Sequence, residues 1–164
     1  MTSLQEIWLN VNAFTGTVPT ELASISELAS LRLAENDING TIPEELYSLT
    51  SLTRLDLQQN RLTGTFSTNI GNLENLRVIR LSRNGLTGTF PVELAQLAEL
   101  RLAWLHLNLF NGSVPSVYCD NRGIGALEFL SSDCGPITAP STPCICCTNC
   151  CDRTTRVCLL QGDT

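Results

Sequence analysis

Residues 28–51 read LASLRLAENDINGTIPEELYSLTS, and residues 52–75 read LTRLDLQQNRLTGTFSTNIGNLEN. Written one under the other, they place Leu28 over Leu52, Leu31 over Leu55, Leu33 over Leu57, Asn36 over Asn60 and Gly40 over Gly64. The same 24-residue shift extends both ways without gaps. Leu4, Leu28, Leu52, Leu76 and Leu100 share one column, and Ile7, Leu31, Leu55, Ile79 and Ala103 the next. Leu9, Leu33, Leu57, Leu81 and Leu105 follow, then Asn12, Asn36, Asn60, Asn84 and Asn108. Gly16, Gly40, Gly64, Gly88 and Gly112 close the signature, with Pro19, Pro43, Pro91 and Pro115 three residues later; Ser67 replaces this Pro in the third unit. A fixed period of this kind marks a repeat architecture. A helical repeat would space its apolar residues near 3.6 throughout, whereas L-x-L alternates with period two before Gly and Pro interrupt it.

Each column has a physical reading. L-x-L is a short parallel strand whose alternate side chains point inward. The Asn at its end can donate to carbonyls of the neighbouring turn that would otherwise be buried unpaired. Gly permits a positive φ, and Pro stiffens the extended stretch that follows. L-x-x-L-x-x-L, as in Leu46, Leu49 and Leu52, returns the chain as a 3₁₀ or helix-like segment. No single unit buries its apolar face alone, so stacking supplies the core.

Composition agrees. The 164 residues are 43% hydrophobic and 16% charged, with Leu at 27 positions, which excludes a disordered chain. The net charge of −6 argues against general nucleic-acid binding, which needs an excess of cations. No apolar run reaches the ~18 residues of a membrane-spanning helix. Lys is absent and all ten cations are Arg.

The pattern L-x-x-L-x-L-x-x-N-x-L-x-G-x-[IVF]-P resembles the plant-type leucine-rich repeat (LRR) from residue 4 to about residue 118. The resemblance implies an α/β fold: a right-handed LRR solenoid of about five 24-residue units, with parallel strands on the concave face and a Cys-rich C-terminal cap. Residues 1–118 would form the array, and 119–164 the cap and a Cys-rich tail.

The concave strand face is where such folds bind partners. Trp8, Arg32, Asp56, Arg80 and Trp104 form one column expected to point outward between the buried Leu columns. Flanking it run Glu6, Ser30, Arg54, Val78 and Leu102, then Asn10, Ala34, Gln58, Ser82 and His106, then Val11, Glu35, Gln59, Arg83 and Leu107. Trp and Arg are enriched at interaction hot spots, and Arg grips carboxylate or sulfate bidentately. Trp8, Arg32, Arg54, Asp56, Arg80, Arg83, Trp104 and His106 are therefore the candidate binding residues, for an anionic peptide or an acidic or sulfated glycan. Alternatively, the charges form a ladder that neutralises itself, with the Trp residues covering open ends of the stack. Asn39-Gly-Thr41 and Asn111-Gly-Ser113 are N-glycosylation sequons, although the repeat itself writes x-G-T. His106 is the only His, and no spacing suggests a catalytic triad, a dinucleotide loop or a phosphate-binding loop.

All eight Cys lie between residues 119 and 158, in what starts as a sixth, degenerate unit marked by Leu127 and Leu130. Cys119 and Cys134 are expected to pair within the cap. Cys144, Cys146, Cys147, Cys150, Cys151 and Cys158 would staple a tail too small for its own core, after a Pro/Thr/Ser-rich linker at 135–143. The rival reading is an all-sulfur metal site. The tail resembles the Cys-rich ends of predicted LRR proteins of diatoms and related algae.

The expected function is an extracellular or cell-surface recognition module, not an enzyme, that binds a protein, peptide or glycan and needs no cofactor, metal or nucleic acid. The alternatives are an intracellular LRR protein with a thiolate metal-binding tail and an LRR-type inhibitor of a secreted hydrolase. The N-terminus shows no signal peptide and no cap, so Leu4, Ile7 and Leu9 should be exposed. That suggests a fragment of a longer parent, whose missing part would carry the signal and any membrane attachment.

Overall fold

A computed structural model describes residues 4–111, 114–115, 117–118, 127–133, 149–151 and 158–160. Cys119, Cys134, Cys144, Cys146 and Cys147 lie outside the described residues, as does Ser113 of the second sequon.

Five three-residue strands recur at the repeat period: β1 (Glu6–Trp8), β2 (Ser30–Arg32), β4 (Arg54–Asp56), β6 (Val78–Arg80) and β7 (Leu102–Trp104). They pair in parallel with an unbroken register, Ile7 to Leu31 to Leu55 to Ile79 to Ala103. Two further short strands, β3 (Asn39–Gly40) and β5 (Arg61–Leu62), pair on the turn side. The main sheet continues through β8 (Phe129–Asp133), β9 (Asn149–Cys151) and β10 (Cys158–Leu160). β8 is parallel to β7, with Leu130 beside Ala103; β9 is parallel to β8, and β10 is antiparallel to β9. The fifth unit, from Leu100 to the residue before Leu127, is thus three residues longer than the first four, and Leu127 and Leu130 enter the core as the sequence suggests.

Each of the first four units returns through a five-residue 3₁₀ segment: Thr20–Ser24, Glu44–Ser48, Thr68–Asn72 and Val92–Gln96. Pro19, Pro43 and Pro91 precede three of them in extended geometry with no side-chain cap. Ser67 replaces Pro in the third and supplies what Pro cannot. Its hydroxyl accepts from the Asn69 amide at 3.1 Å and donates to Glu44 Oε2 at 2.9 Å. An exchange that breaks the sequence pattern therefore keeps the turn.

The core is a stack of Leu columns: Leu31, Leu52, Leu57, Leu76, Leu81 and Leu105 are fully buried. Phe66, Phe90 and Phe110 fill the turn side, with the Phe90 and Phe110 rings 4.8 Å apart. The Asn column does what its position suggests. The Asn60 amide donates to the carbonyls of Leu33 and Leu57, and its oxygen accepts from the Ile38 amide at 3.0 Å. Asn36, Asn84 and Asn108 repeat the arrangement one unit apart. Burial pushes the Tyr47 and Tyr118 phenols well above their usual range, and Tyr118 donates to the Pro91 carbonyl.

One feature departs from the column reading. Val11, Glu35, Gln59, Arg83 and Leu107, one residue before each Asn, all have φ between 54° and 58°. None is Gly, and the left-handed region costs an L-residue roughly 1–2 kcal/mol. The turn it creates delivers two amides to the next unit: Glu35 and Asn36 donate to the carbonyls of Gln58 and Gln59, and Gln59 and Asn60 to those of Ser82 and Arg83. It also aims the Asn side chain inward. At the first unit β1 forms the sheet edge, and Leu4 (51%) and Leu9 (40%) are exposed as expected; Ile7 is partly buried.

Candidate functional site

The parallel register brings the outward column into one row across the sheet: Trp8, Arg32, Asp56, Arg80 and Trp104 stand side by side. Ser131 of β8 extends the row beyond Trp104. Arg32 Cζ lies 4.4 Å from the centre of the Trp8 ring, and Arg80 Cζ lies 4.2 Å from that of Trp104. The row is therefore a near-palindrome of two guanidinium–indole stacks around one carboxylate. Such stacking holds each Arg in place while leaving its charge available.

Asp56 corrects the sequence reading. It does not project as an exposed group but is buried, at 3% exposure. Its carboxylate lies against the Arg80 guanidinium of the next strand and the backbone amide of Gln58 just past the end of β4. Ser30, Ala34 and Ser82, also read as outward, are likewise buried. Asp56 pairs with Arg80 alone, at 3.4 Å. Among the described residues, Arg61, Arg77 and Arg101 also have carboxylate partners, whereas Arg32, Arg54 and Arg83 have none. Among the described residues, the three arginines without an ion pair are all on the strand face. The charges there do not simply cancel: burial, then repulsion from Arg32 and Arg80, lowers the pKa of Arg54. Arg32 Nε donates to Ser30 Oγ at 3.3 Å, whereas Arg80 Nε and Trp104 Nε1 find no acceptor among the described residues.

Desolvation raises the Asp56 pKa above the ordinary value near 3.8, against the opposing pull of Arg80. The folded chain therefore holds this proton to a higher pH than the unfolded chain does. Its stabilising contribution is complete below the unfolded value and is lost as pH rises through the folded one. Urea unfolding of the native chain and of Asp56→Asn, from about pH 3 to about pH 7, checks this. The stability difference, native minus variant, should decline with rising pH; a rise would contradict the assignment.

His106 and Arg83 sit together beside the row. They line a depression of about 340 Å³ with Gln58, Ser82, Trp104 and Phe129. His106 Nδ1 and Ser131 Oγ share a hydrogen bond of 2.7 Å, and the Phe129 ring meets Trp104 edge-on at 6.3 Å. Trp8, 62% exposed, stands at the far end of the row, so the candidates form one band and not one pocket. Sequence reasoning missed Phe129 and Ser131 because the three extra residues of the fifth unit put them out of phase; the Leu127–Leu130 spacing was the available signal. Asn39 and Asn111, the sequon residues, are exposed on the turn side of the strands. Cys151 and Cys158 are register partners between β9 and β10.

No curated protein matches the chain. The leucine-rich repeat family is matched at residues 27–49 and again at 50–110, together just over half of the 164 residues. Among solved structures, the chain is similar to a plant peptide hormone receptor, RGFR1 in complex with RGF2. Identity there is 35% and the TM-score 0.73, over 80% of this chain and 20% of that one. It is also similar to the LRR ectodomain of the receptor kinase SOBIR1 from Arabidopsis thaliana, at 30% identity and a TM-score of 0.68, over 74% of this chain and 64% of that one. A third is the Arabidopsis receptor kinase HAESA in complex with the peptide hormone IDA and the co-receptor SERK1, at 28% identity and a TM-score of 0.70, over 92% of this chain and 26% of that one. The chain thus spans a fifth of the length of the first and a quarter of the third. With its repeat columns, its parallel sheet and these matches, the chain belongs to the leucine-rich repeat family, in its plant-type form.

Proposed function

We propose that this chain is an extracellular or cell-surface recognition module, not an enzyme, and that its strand face binds a peptide or protein. The observation that carries the reading is the band of Arg32, Arg54 and Arg83, without ion pairs, beside two guanidinium–indole stacks. Fixed cationic and aromatic groups on a rigid sheet are the residue types that dominate binding energy at interfaces. Structural neighbours in complex with peptide hormones support a peptide partner over a glycan.

Selection of a displayed random peptide library on the immobilised chain tests this. Enriched peptides should lose about 100-fold in affinity when Arg54, Arg80 and Trp104 are all changed to Ala, with Asp56→Asn so that no buried carboxylate is left without Arg80. Undiminished binding would put the site elsewhere. In the same reading Asn39 and Asn111 carry glycans and the eight cysteines form four disulfides. Intact mass of the native-source protein, alkylated without reduction, should show no alkyl adducts and a glycan increment. Alkylation of all eight thiols after unfolding, with zinc or copper bound beforehand, would replace this by the thiolate-metal reading.

A further inference from the structure

The spacing of the two stacked arginines, and not only their charge, constrains what the strand face can read. Arg32 on β2 and Arg80 on β6 flank β4, so two strand spacings separate them. At ~4.8 Å per spacing that is about 10 Å. Three residues of a polyproline II chain, at ~3.1 Å each and three to the turn, cover about 9 Å and bring the side chain back to the same side. Adjacent residues cover about a third of it and point to different sides.

Three observations bear on the ligand's chemistry. Arg32 has no carboxylate partner among the described residues, and Arg80 shares only the long contact to buried Asp56. Arg80 Nε and Trp104 Nε1 are buried donors without an acceptor, an arrangement that costs free energy until an acceptor arrives. Arg54, also unpaired, lies between the two stacks on the flanking column, so the middle of the row is cationic at its surface although Asp56 lies beneath it. The surrounding acids, Glu6 and Glu35, are at the β1 edge and past the end of β2.

We propose that the Trp8–Arg32–Asp56–Arg80–Trp104 row reads an acidic peptide in polyproline II conformation crossing the strands, with two carboxylate side chains three residues apart, one on Arg32 and one on Arg80. This rests on the strand-face reading above and specifies its ligand. Binding draws the Arg80 guanidinium toward the ligand carboxylate, giving Nε the acceptor it lacks. The Trp rings flank the pair and exclude water, which strengthens each charge-assisted bond.

Calorimetric titration of the intact chain tests the spacing. The probes are blocked Gly/Ser octapeptides carrying two Glu three residues apart, two adjacent Glu, or two Gln three residues apart; a heparin tetrasaccharide is the fourth. The peptide with Glu three apart should bind about tenfold tighter than the other two peptides and than the tetrasaccharide. Arg32→Gln should remove most of that advantage. Arg80→Gln strands a buried carboxylate, so it is paired with Asp56→Asn, and this double variant should also lose the preference while keeping the native melting profile. Equal binding of the two Glu peptides, an unaffected Arg32→Gln chain or no binding by any probe would overturn the inference. Equal binding of the Gln peptide, abolished by changing Arg54, Arg80 and Trp104 to Ala, would overturn it while leaving strand-face recognition standing. Preference for the tetrasaccharide would replace the peptide with a sulfated glycan.

Discussion

Leu57→Ala is expected to lower the free energy of unfolding by about 2–5 kcal/mol. Leu57 is fully buried between Leu33 and Leu81, its counterparts in the units before and after. In a stacked repeat each unit is stabilised mainly through its two interfaces, and truncating a central side chain weakens both. The cavity cannot close by local collapse, because the ladder bonds from Leu33 to Asp56 and from Leu57 to Arg80 fix the strand positions. The comparison that isolates packing from composition is Leu9→Ala. Leu9 occupies the same sequence column but is 40% exposed, so its truncation should cost about 1 kcal/mol or less. Urea unfolding of both variants measures the contrast. Equal losses would mean that the column does not define a common buried core.

Asn60→Ala is expected to cost about 1–3 kcal/mol, a large penalty for so small a side chain. Removing it leaves the Ile38 amide without an acceptor. It also takes one of two donors from each of the Leu33, Leu57 and Gln58 carbonyls, which keep the Asn36 and Asn84 side chains and the Glu35 amide. The Ile38 amide lies between stacked turns, where an unpaired polar atom carries its full desolvation penalty. Asn12 provides the contrast again. Its amide reaches only Leu9 and Asn10 of its own exposed turn, so Asn12→Ala should cost about 1 kcal/mol or less. Thermal or urea unfolding reads both. A large loss at Asn12 with a small one at Asn60 would contradict the ladder account.

The pattern of these two predictions shows what the amino-acid sequence reveals and what it hides. The Leu, Asn and Gly columns are legible because each recurs at a constant interval and has one physical task, so the register of β1 through β7 follows from the alignment. The left-handed residue before each Asn is not legible, because Val11, Glu35, Gln59, Arg83 and Leu107 share no side-chain property that would mark it. The repeat demands a backbone there and not a side chain. Asp56 is hidden for a different reason. Alternation says which way a side chain leaves the strand, but not that a short carboxylate lies against the Arg of the next strand and out of solvent. The band at Arg83, Trp104 and His106 was partly visible; Phe129 and Ser131 were not, since three extra residues shift them out of phase. Ser67 runs the other way, as an apparent flaw in the pattern that proves to be a working cap.

The central claim is that this chain recognises its partner with the strand face and not with the outer 3₁₀ face. The most direct measurement is the affinity of one library-selected peptide for two triple-alanine variants of the same chain. One changes Arg54, Arg80 and Trp104 and also carries Asp56→Asn, so that no buried carboxylate loses its partner; the other changes the exposed outer residues Glu45, Asn72 and Gln96. The expected result is a loss of about 100-fold in the first and less than about twofold in the second. The reverse, binding lost with the outer variant and kept with the strand-face variant, would contradict the claim.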